Sequence, residues 1–442
     1  MLKRKFYNDL VRWKKEKKQE CLLVNGARQI GKTFIIDTFG RENYGQNYIY
    51  INLLKNPEHK EIFEGSLEPA EIYKRLQISL KNVRLVENKT LIFIDEIQVC
   101  PKARTALKFL AIDNRYDIIA SGSLLGIHYN QSVNDVELEK QISIPVGYER
   151  EVEMHSLDFE EFLWACGIQE QAVAILREYF EKQQVVPTEI NEKYEQLLRE
   201  YLVVGGMPEV VNTFVATSNF YKAFEVQQKI LQAYEDDIQH YASNVDKPKI
   251  KMCYNSIPKQ LAKEYTKFQF KTIEKMGSAR KYGSSLAWLE DAGLVKSVRN
   301  VSLPEIPLKA YEQYENFKVY GTDIGITTAL FGTETQIALV KNQLKGPAKG
   351  GIYENLIFDM LNKRKIGLNY FKRADNTQEI EFVFEKNGAV VPVEVKSKNG
   401  MTYSLNEYIE QHNPAVVYKL IDGNIGSLPP KITLPHYMAM FV

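Results

Sequence analysis

The stretch GARQIGKT, Gly26 to Thr33, decides the fold of the first part of the chain. It fits the pattern Gly-x-x-x-x-Gly-Lys-Thr, and it lies between an apolar segment, ECLLVN, and a segment of helical character, TFIIDTF. The two glycines allow backbone angles and a close approach that a side chain would forbid. The backbone N–H groups of such a loop form a concave anion site at the start of a helix. The stretch therefore predicts a strand, a phosphate-binding loop and a helix.

The pattern also assigns a role to the residues of the loop. The Lys32 ammonium is expected to reach the β- and γ-phosphates of a nucleotide, and the Thr33 hydroxyl is expected to hold Mg²⁺. An alternative is a strand-loop-helix unit that contains glycine for backbone reasons alone. On the first interpretation, the residues that bind the nucleotide are Gly26, Ala27, Arg28, Gln29, Ile30, Gly31, Lys32 and Thr33.

Two acids at the end of a second apolar strand extend the prediction to hydrolysis. In TLIFIDEIQ, Thr90 to Gln98, apolar residues precede Asp95 and Glu96. In nucleotide-hydrolysing P-loop proteins the first carboxylate, here Asp95, supports the Mg²⁺ shell. Glu96 is placed to polarise the attacking water as a general base. The alternative is a strand end whose acids are only solvated.

A third predicted strand, YDIIA, ends in SGSLLG, whose hydroxyl groups are candidates for sensing the γ-phosphate. Ser123 is the first candidate and Ser121 the second. The alternative is a turn that is rich in glycine and serine and has no role in sensing phosphate. Another buried strand is predicted at YIYINLLKN. Strands that alternate with helices indicate a parallel sheet, and ligands bind at the carboxyl ends of its strands.

Composition narrows the class of protein. With 442 residues the chain is too long for one core, so two to four domains are expected. A net charge of +1 gives no global reason to expect nucleic acid or membrane as a partner. The four cysteines form no CxxC pair, which favours a reduced compartment. The basic N-terminus lacks the apolar run of a signal peptide, and no stretch approaches the ~20 apolar residues of a membrane span. A cytoplasmic protein is therefore predicted.

Six segments in a fixed order resemble a known family. They are GARQIGKT, LIFIDEIQ, the SGS strand end, LDFEEFL at 157–163, YLVVGGMPEVV at 201–211 and PVEVKS at 392–397. Together they resemble bacterial and archaeal AAA+-type ATPases that carry a C-terminal domain of unknown function. The resemblance implies a protein that binds and hydrolyses ATP with Mg²⁺.

The resemblance also implies further site residues. In related ATPases a Gly-x-Pro element of the helical lid packs near the adenine, and Gly206 and Pro208 stand at the matching place. Many relatives carry a basic residue where Tyr148 stands, so Arg150, two positions later, is the candidate arginine finger. Because AAA+ relatives often assemble so that a neighbour supplies such an arginine, a homo-oligomer is a possible state.

The predicted fold class is α/β, with four regions. Residues 1–155 are expected to form the P-loop parallel sheet, 156–247 a helical lid with connecting helices, 248–335 a winged-helix-like module, and 336–442 a restriction-endonuclease-like α/β domain. The winged-helix prediction depends on a helix that ends at Gly293 and on VKSVRNVS as a wing. A local basic set would serve DNA binding there, whereas protein docking or a structural role fits equally; the set is Lys271, Lys275, Arg280, Lys281, Lys296 and Arg299.

The last region resembles the PD-(D/E)xK nuclease fold. A helix, IYENLIFDMLNKR, precedes two alternating strands that are joined by a hairpin turn at Asn387-Gly388. In active nucleases of this fold carboxylates hold Mg²⁺ and the lysine positions or activates water. Glu381 departs from the pattern, since active nucleases usually have Asp there, and a half-buried structural strand fits the same alternation. The candidate nuclease-like residues are Glu354, Glu381, Glu394 and Lys396.

Three functions are compatible with these patterns. The first is an ATP-driven conformational switch that controls the C-terminal modules for a DNA or protein partner. The second is a metal-dependent nuclease under ATP control. The third is a DNA- or protein-binding module with a nearly inert ATPase. The first is preferred, because the phosphate-loop and acid motifs are the most specific signals in the chain.

Overall fold

A five-stranded parallel sheet forms the centre of the first of two compact units. The computed structural model describes residues 2–123, 147–263, 267–375, 377–396 and 402–442. Within them, the first unit comprises Arg4–His155 and Asp291–Gly293. Its strands lie in the order β2-β3-β4-β1-β5, each parallel to its neighbours; they are β1 (Cys21–Asn25), β2 (Tyr48–Asn52), β3 (Leu91–Asp95), β4 (Asp117–Ser121) and β5 (Glu149–Glu153). The predicted parallel sheet is confirmed.

Helices alternate with these strands along the chain. The three strands that are buried at every position, β1, β3 and β4, are the central ones, as expected for a parallel sheet that is covered by helices. The predicted helix after the phosphate loop is confirmed as α2. The helices of this unit are α1 (Phe6–Glu16), α2 (Lys32–Tyr44), α3 (Pro69–Ser79) and α4 (Pro101–Asp113).

The second unit begins with the helices that the sequence predicted between residues 156 and 247. It comprises Met1–Lys3, Ser156–Glu290 and Leu294–Val442. Its first helix starts with a capping box: Asp158 accepts from the backbone N–H of Glu161 at 2.8 Å, and Glu161 accepts from that of Asp158 at 3.1 Å. The helices are α5 (Phe159–Ala165), α6 (Glu170–Lys182), α7 (Thr188–Val204), α8 (Pro208–Thr217), α9 (Phe220–Tyr241), α10 (Lys247–Asn255) and α11 (Ile257–Leu261).

An eight-stranded mixed sheet contains the described strands of the second unit. Its first two strands follow α12 (Ala279–Asp291), and Gly293 has the predicted left-handed conformation with φ 70°. The strands are β6 (Val295–Val301), β7 (Glu312–Gly321), β8 (Asn369–Lys372), β9 (Glu379–Lys386), β10 (Ala389–Val395), β11 (Val417–Ile421), β12 (Gly426–Leu428) and β13 (Lys431–Pro435). The helices among them are α13 (Ile324–Ala329), α14 (Thr333–Val340), α15 (Pro347–Lys363) and α16 (Tyr403–His412).

The strand pairing joins the two regions that the sequence separated near residue 335. The β6–β7 hairpin, predicted as a wing, continues into the C-terminal strands because β6 pairs in parallel with β8. The order of the sheet is β12-β13-β11-β10-β9-β8-β6-β7. The predicted turn between β9 and β10 is confirmed, with φ 53° at Asn387 and φ 76° at Gly388. The four domain boundaries themselves stay a prediction.

A buried polar network holds the segment before α5 to α7 and α15. The Lys363 ammonium donates to the Leu157 carbonyl at 3.1 Å, to the Tyr201 hydroxyl at 3.0 Å and to Asp359 at 2.9 Å. All of these side chains are buried. Ser156 donates to Asp323 at 2.6 Å in the same region. Part of the predicted lid region, the segment before α5 and helix α7, is therefore packed directly against α15.

Among the described helices, none has the length and apolar character that crossing a membrane requires.

Candidate functional site

The phosphate loop has the conformation that its glycines allow. Gly26 has φ 145° and Gly31, directly before α2, has φ 90°. A Cβ atom at Gly26 would lie 2.3 Å from the backbone oxygen of Met154, which is closer than real contacts permit. Gln29 also has a positive φ of 63°. The loop thus needs glycine both for its backbone angles and for its contact with the chain after β5.

The Lys32 side chain lies against the loop. Its ammonium donates to the backbone oxygens of Gly26 at 2.9 Å and Ala27 at 2.7 Å. Burial lowers the pKa of Lys32 to about 8, against the raising effects of Glu96 and Asp95. An ammonium held by two carbonyls can exchange them for phosphate oxygens, which carry more negative charge.

Asp95 accepts hydrogen bonds from the two strands beside β3, which are β2 and β4, and from Thr33 at the end of the phosphate-loop motif. Its Oδ2 accepts from the Thr33 hydroxyl at 3.0 Å, from the Tyr50 hydroxyl at 2.9 Å and from the Asn52 amide at 3.0 Å. Its Oδ1 accepts from the Ser121 hydroxyl. The carboxylate is only 2% exposed, so these donors fix its orientation. The two residues predicted to support Mg²⁺, Thr33 and Asp95, are therefore in contact.

Tyr50 and Asn52 were not predicted as site residues. They lie on β2, which pairs with β3 so that Asn52 stands opposite Asp95. Their signal is the alternation of YIYIN, in which the two isoleucines are buried and the other side chains are half-buried. The alternation indicates a sheet face, but it does not show which strand lies beside β2.

Glu96 lies directly after β3 in an unusual conformation. Its φ of 57° and ψ of 43° are left-handed, which is uncommon for a residue other than glycine. Its Oε2 accepts a hydrogen bond from the Gln98 amide at 2.5 Å. Such backbone conformations occur preferentially at functional sites. The turn and Gln98 together orient the predicted general base.

The two serine candidates have different surroundings. Ser121 donates to Asp95, so it belongs to the hydrogen-bond network of that carboxylate. Ser123 follows β4 and is 5% exposed. Residues 124–126 of this stretch lie outside the described part of the chain. A γ-phosphate contact of Ser123 stays a prediction.

Arg4 is a residue that the sequence did not reveal. Its guanidinium donates to the backbone oxygen of Ile30 in the loop at 3.1 Å and to that of His155 at 2.6 Å. It is only 9% exposed, although the basic segment around it resembles a solvated charge run. Arg4 therefore ties the phosphate loop to the end of this unit.

The residues that the family resemblance added stay predictions. Arg150 lies on β5 opposite Leu22, and its guanidinium is 2.8 Å from Glu20. Pro208 begins α8 in the second unit. Gly206 has a packing reason of its own, because a Cβ atom there would lie 2.0 Å from the backbone oxygen of Leu157.

The nuclease-like residues divide into two groups. Lys396 contacts Glu394 at 2.6 Å and Glu381 at 3.1 Å, so these three side chains meet at the β9–β10 pair. Burial and the neighbouring Glu394 raise the pKa of Glu381 to about 8. Glu354 of α15 instead accepts from Lys318 at 2.8 Å. Lys318 was not predicted.

Glu379 is a further carboxylate that the sequence did not single out. Burial alone would raise its pKa, but Lys318 and Lys372 outweigh burial and lower the pKa to about 2. These lysines lie 2.8 and 2.9 Å from its oxygens. In the part of the chain that the structure describes, no three His, Cys, Asp or Glu side chains are grouped to hold a metal ion. The carboxylates here face ammonium groups, so they do not fit the metal that a nuclease would need.

Five residues of the predicted basic set are exposed, and Arg299 is half-buried. Three of the six have protein partners: Lys281 with Glu274, Lys296 with Asn362 at 2.8 Å and Arg299 with Glu312 at 3.1 Å.

A parallel sheet, a phosphate loop and a hydroxyl–carboxylate pair beside the loop are the features of a P-loop domain. Residues 18–163 match the family model described as AAA domain. Residues 195–337 and 349–424 match two families described as domains of unknown function, DUF8612 and DUF4143. No curated protein matches the sequence.

Three solved structures show a distant similarity to this chain. The Walker-type ATPase PABY2304 of Pyrococcus abyssi is 15% identical over 75% of this chain and 96% of its own, with a TM-score of 0.43. ORC1 of Aeropyrum pernix in complex with DNA is 14% identical over 76% and 92%, with a TM-score of 0.28. AMPPCP-bound DnaA of Aquifex aeolicus is 12% identical over 65% and 88%, with a TM-score of 0.29. TM-scores this low support no inference about function.

Proposed function

We propose that the chain is a Mg²⁺-dependent ATPase of the AAA type, whose P-loop unit controls the second unit as a conformational switch. The observation that carries the proposal is the 3.0 Å hydrogen bond between Thr33 and Asp95, directly beside the phosphate loop. A hydroxyl and a carboxylate at this place are the oxygen ligands that Mg²⁺ prefers.

The residues of the P-loop unit have different roles in this proposal. The loop backbone and Lys32 bind the phosphates, and Thr33 with Asp95 would hold the metal ion. When bound, Mg²⁺ neutralises charge on the phosphate oxygens. Glu96 accepts a proton from the attacking water, and Gln98 holds its carboxylate in place. Tyr50, Asn52 and Ser121 keep Asp95 oriented. We also expect the protein to be cytoplasmic under this proposal.

The second unit is the part that responds. The network of Lys363, Asp359, Tyr201 and Leu157 joins α7 and the segment before α5 to α15. A movement of α7 would therefore carry α15 with it, because separating the two would leave charged groups buried without their partners. Rigid-body motion of this unit is the proposed output.

The central test is Glu96→Gln. We expect hydrolysis to fall about 10²–10⁴-fold, as for loss of a general base, while the affinity for ATP is kept. Glu87→Gln is the matched control, because Glu87 is an exposed acid of the same unit. Phosphate release and binding of a fluorescent ATP analogue should be measured on both variants at two protein concentrations. Undiminished turnover in Glu96→Gln would contradict the proposal.

DNA as the partner of the second unit is favoured by one observation. Three exposed cations lie close together in the sequence: Lys271 in the 3-10 helix Phe270–Thr272, Lys275 in the turn before α12, and Arg280 in α12. Exposed cations of this kind bind phosphates with a strong dependence on salt. We expect retention of double-stranded DNA at low salt, reduced in the triple variant Lys271→Ala, Lys275→Ala, Arg280→Ala. Lys222→Ala, an exposed lysine on α9, is the control, and retention that is equal in all variants would argue against this surface.

A further inference from the structure

A cluster of acids and lysines lies in the eight-stranded sheet of the second unit and shares no residue with the predicted nucleotide site. Its centre is Lys318 on β7, whose side chain is 1% exposed. The ammonium lies 2.8 Å from Glu354 on α15 and 2.8 Å from Glu379 on β9. The Tyr320 hydroxyl donates to the same oxygen of Glu354 at 2.5 Å. One buried cation therefore joins a helix and two strands.

Two further lysines complete the cluster. Lys372 contacts the second oxygen of Glu379 at 2.9 Å. Lys396 contacts Glu394 at 2.6 Å and Glu381 at 3.1 Å. Each carboxylate of the cluster thus has an ammonium partner. We call this set the lysine-filled cluster: Glu354, Glu379, Glu381, Glu394, Lys318, Lys372 and Lys396.

Lys318 fills the place between Glu354 and Glu379 that a divalent ion would need. Mg²⁺ and its relatives bind where several carboxylate or carbonyl oxygens face one another with water between them. Here Lys318 lies between Glu354 and Glu379, and a metal beside it would add charge repulsion between two buried cations. Four carboxylates already face three ammonium groups, so most of the negative charge is neutralised by the protein itself.

We infer that Lys318 is a built-in substitute for a divalent cation, and that it closes the nuclease-like site of this chain to metal. The cluster then stabilises the sheet instead of cutting a phosphodiester. The inference is independent of the proposed ATPase function, since it concerns other residues in the other unit. Its sequence signal is weak: Lys318 lies on the hairpin before α13, outside the nuclease-like pattern.

The test is a titration with Mn²⁺, in which free ion is followed by electron paramagnetic resonance. The full chain carries Lys32→Ala and no nucleotide is added, so that metal bound with ATP makes no contribution. We expect this parent to bind no Mn²⁺ at the cluster. Adding Lys318→Met should create a site, because Glu354 and Glu379 lose their shared cation. Lys318→Arg, which keeps a cation, should stay without the site.

Each outcome decides the inference. Mn²⁺ binding by the parent that is lost with Glu394→Gln or Glu354→Gln would overturn it. A folded Lys318→Met variant that gains no Mn²⁺ would also overturn it, since Lys318 would then not be the block. Thermal melting shows whether Lys318→Met folds. If Lys318→Met does not fold, the inference is tested by the titrations of the parent and of Glu394→Gln alone. The inference is supported if neither of these two proteins binds Mn²⁺.

Discussion

The hydroxyl of Thr33 donates to Asp95 Oδ2 across 3.0 Å, and this contact joins the phosphate loop to the central strand β3. It predicts how Asp95→Asn will behave. The amide keeps the size of the side chain but lacks the negative charge that supports Mg²⁺. We expect ATP hydrolysis to fall at least ~100-fold, the scale of lost electrostatic stabilisation. We also expect the preference for Mg²⁺-ATP over free ATP to disappear in nucleotide titrations with and without Mg²⁺.

Tyr50→Phe is the matched control for that experiment. It removes one hydrogen bond to Asp95 but keeps the carboxylate. The preference for Mg²⁺-ATP should therefore persist. If Asp95→Asn shows the same Mg²⁺ preference as Tyr50→Phe, then Asp95 does not support the ion.

Lys32 makes ATP affinity depend on pH in the alkaline range. Burial lowers the pKa of the free ammonium to about 8, so above that pH the side chain of the nucleotide-free protein is increasingly neutral. A phosphate anion requires the charged form. We expect the Kd for ATP to rise up to about tenfold per pH unit above pH 8, as one proton is taken up on binding. Calorimetry in two buffers of different ionisation enthalpy measures this uptake directly.

Lys32→Met is the control for the pH profile. It should bind ATP weakly but without the alkaline rise in Kd, because no ammonium is left to titrate. A profile that rises equally in Lys32→Met would assign the dependence to another group.

The parts of the fold that follow from local pattern were predictable. GARQIGKT has its strand signal in the apolar segment directly before it, LIFIDE contains its own, and the Asn387-Gly388 turn requires only its two residues. The hydrogen-bond partners of Asp95 could not be predicted, because the contacts of Tyr50 and Asn52 with Asp95 depend on the register of β2 on β3. Lys318 reaches Glu354 through the packing of β7 on α15, which no spacing in the chain encodes.

The same limit applied to the division of the chain. The hairpin at 295–321 has a sequence pattern typical of the wing of a winged helix. Only its parallel pairing with β8 shows that it continues the C-terminal sheet. Gly206 likewise matched a lid motif, while its close contact with Leu157 depends on tertiary packing.

Two adjacent glycines at the start of α15 predict opposite effects on stability. A Cβ atom at Gly351 would lie 1.9 Å from the backbone oxygen of Leu261, whereas one at Gly350 would meet open space. We expect Gly351→Ala to lower the free energy of unfolding by about 1–3 kcal/mol through overpacking. Gly350→Ala should leave it unchanged or raise it by about 0.4–1 kcal/mol, because alanine restricts the unfolded chain. Urea unfolding of both variants tests the pair. Equal destabilisation by the two substitutions would contradict the close contact between α11 and Gly351 of α15.

The buried network around Asp359 predicts that stability falls as pH rises from about 4 to about 7. Burial raises the pKa of this carboxyl to about 7, although Lys363 opposes the shift. The folded chain therefore binds more protons than the unfolded chain between the ordinary aspartate pKa, about 4, and about 7. Stability is highest below this window and is lost across it, by at most about 1.4 kcal/mol per pH unit.

Urea midpoints measured from pH 5 to pH 8 test this contribution as the difference between the wild type and Asp359→Asn. The asparagine cannot titrate, so the variant should lose this part of the pH slope while keeping a polar partner for Tyr201 and Lys363. Asp236→Asn, at an exposed position on α9, should keep the slope of the wild type. If Asp359→Asn keeps that slope as well, Asp359 is ionised throughout, and its ion pair with Lys363 outweighs the effect of burial.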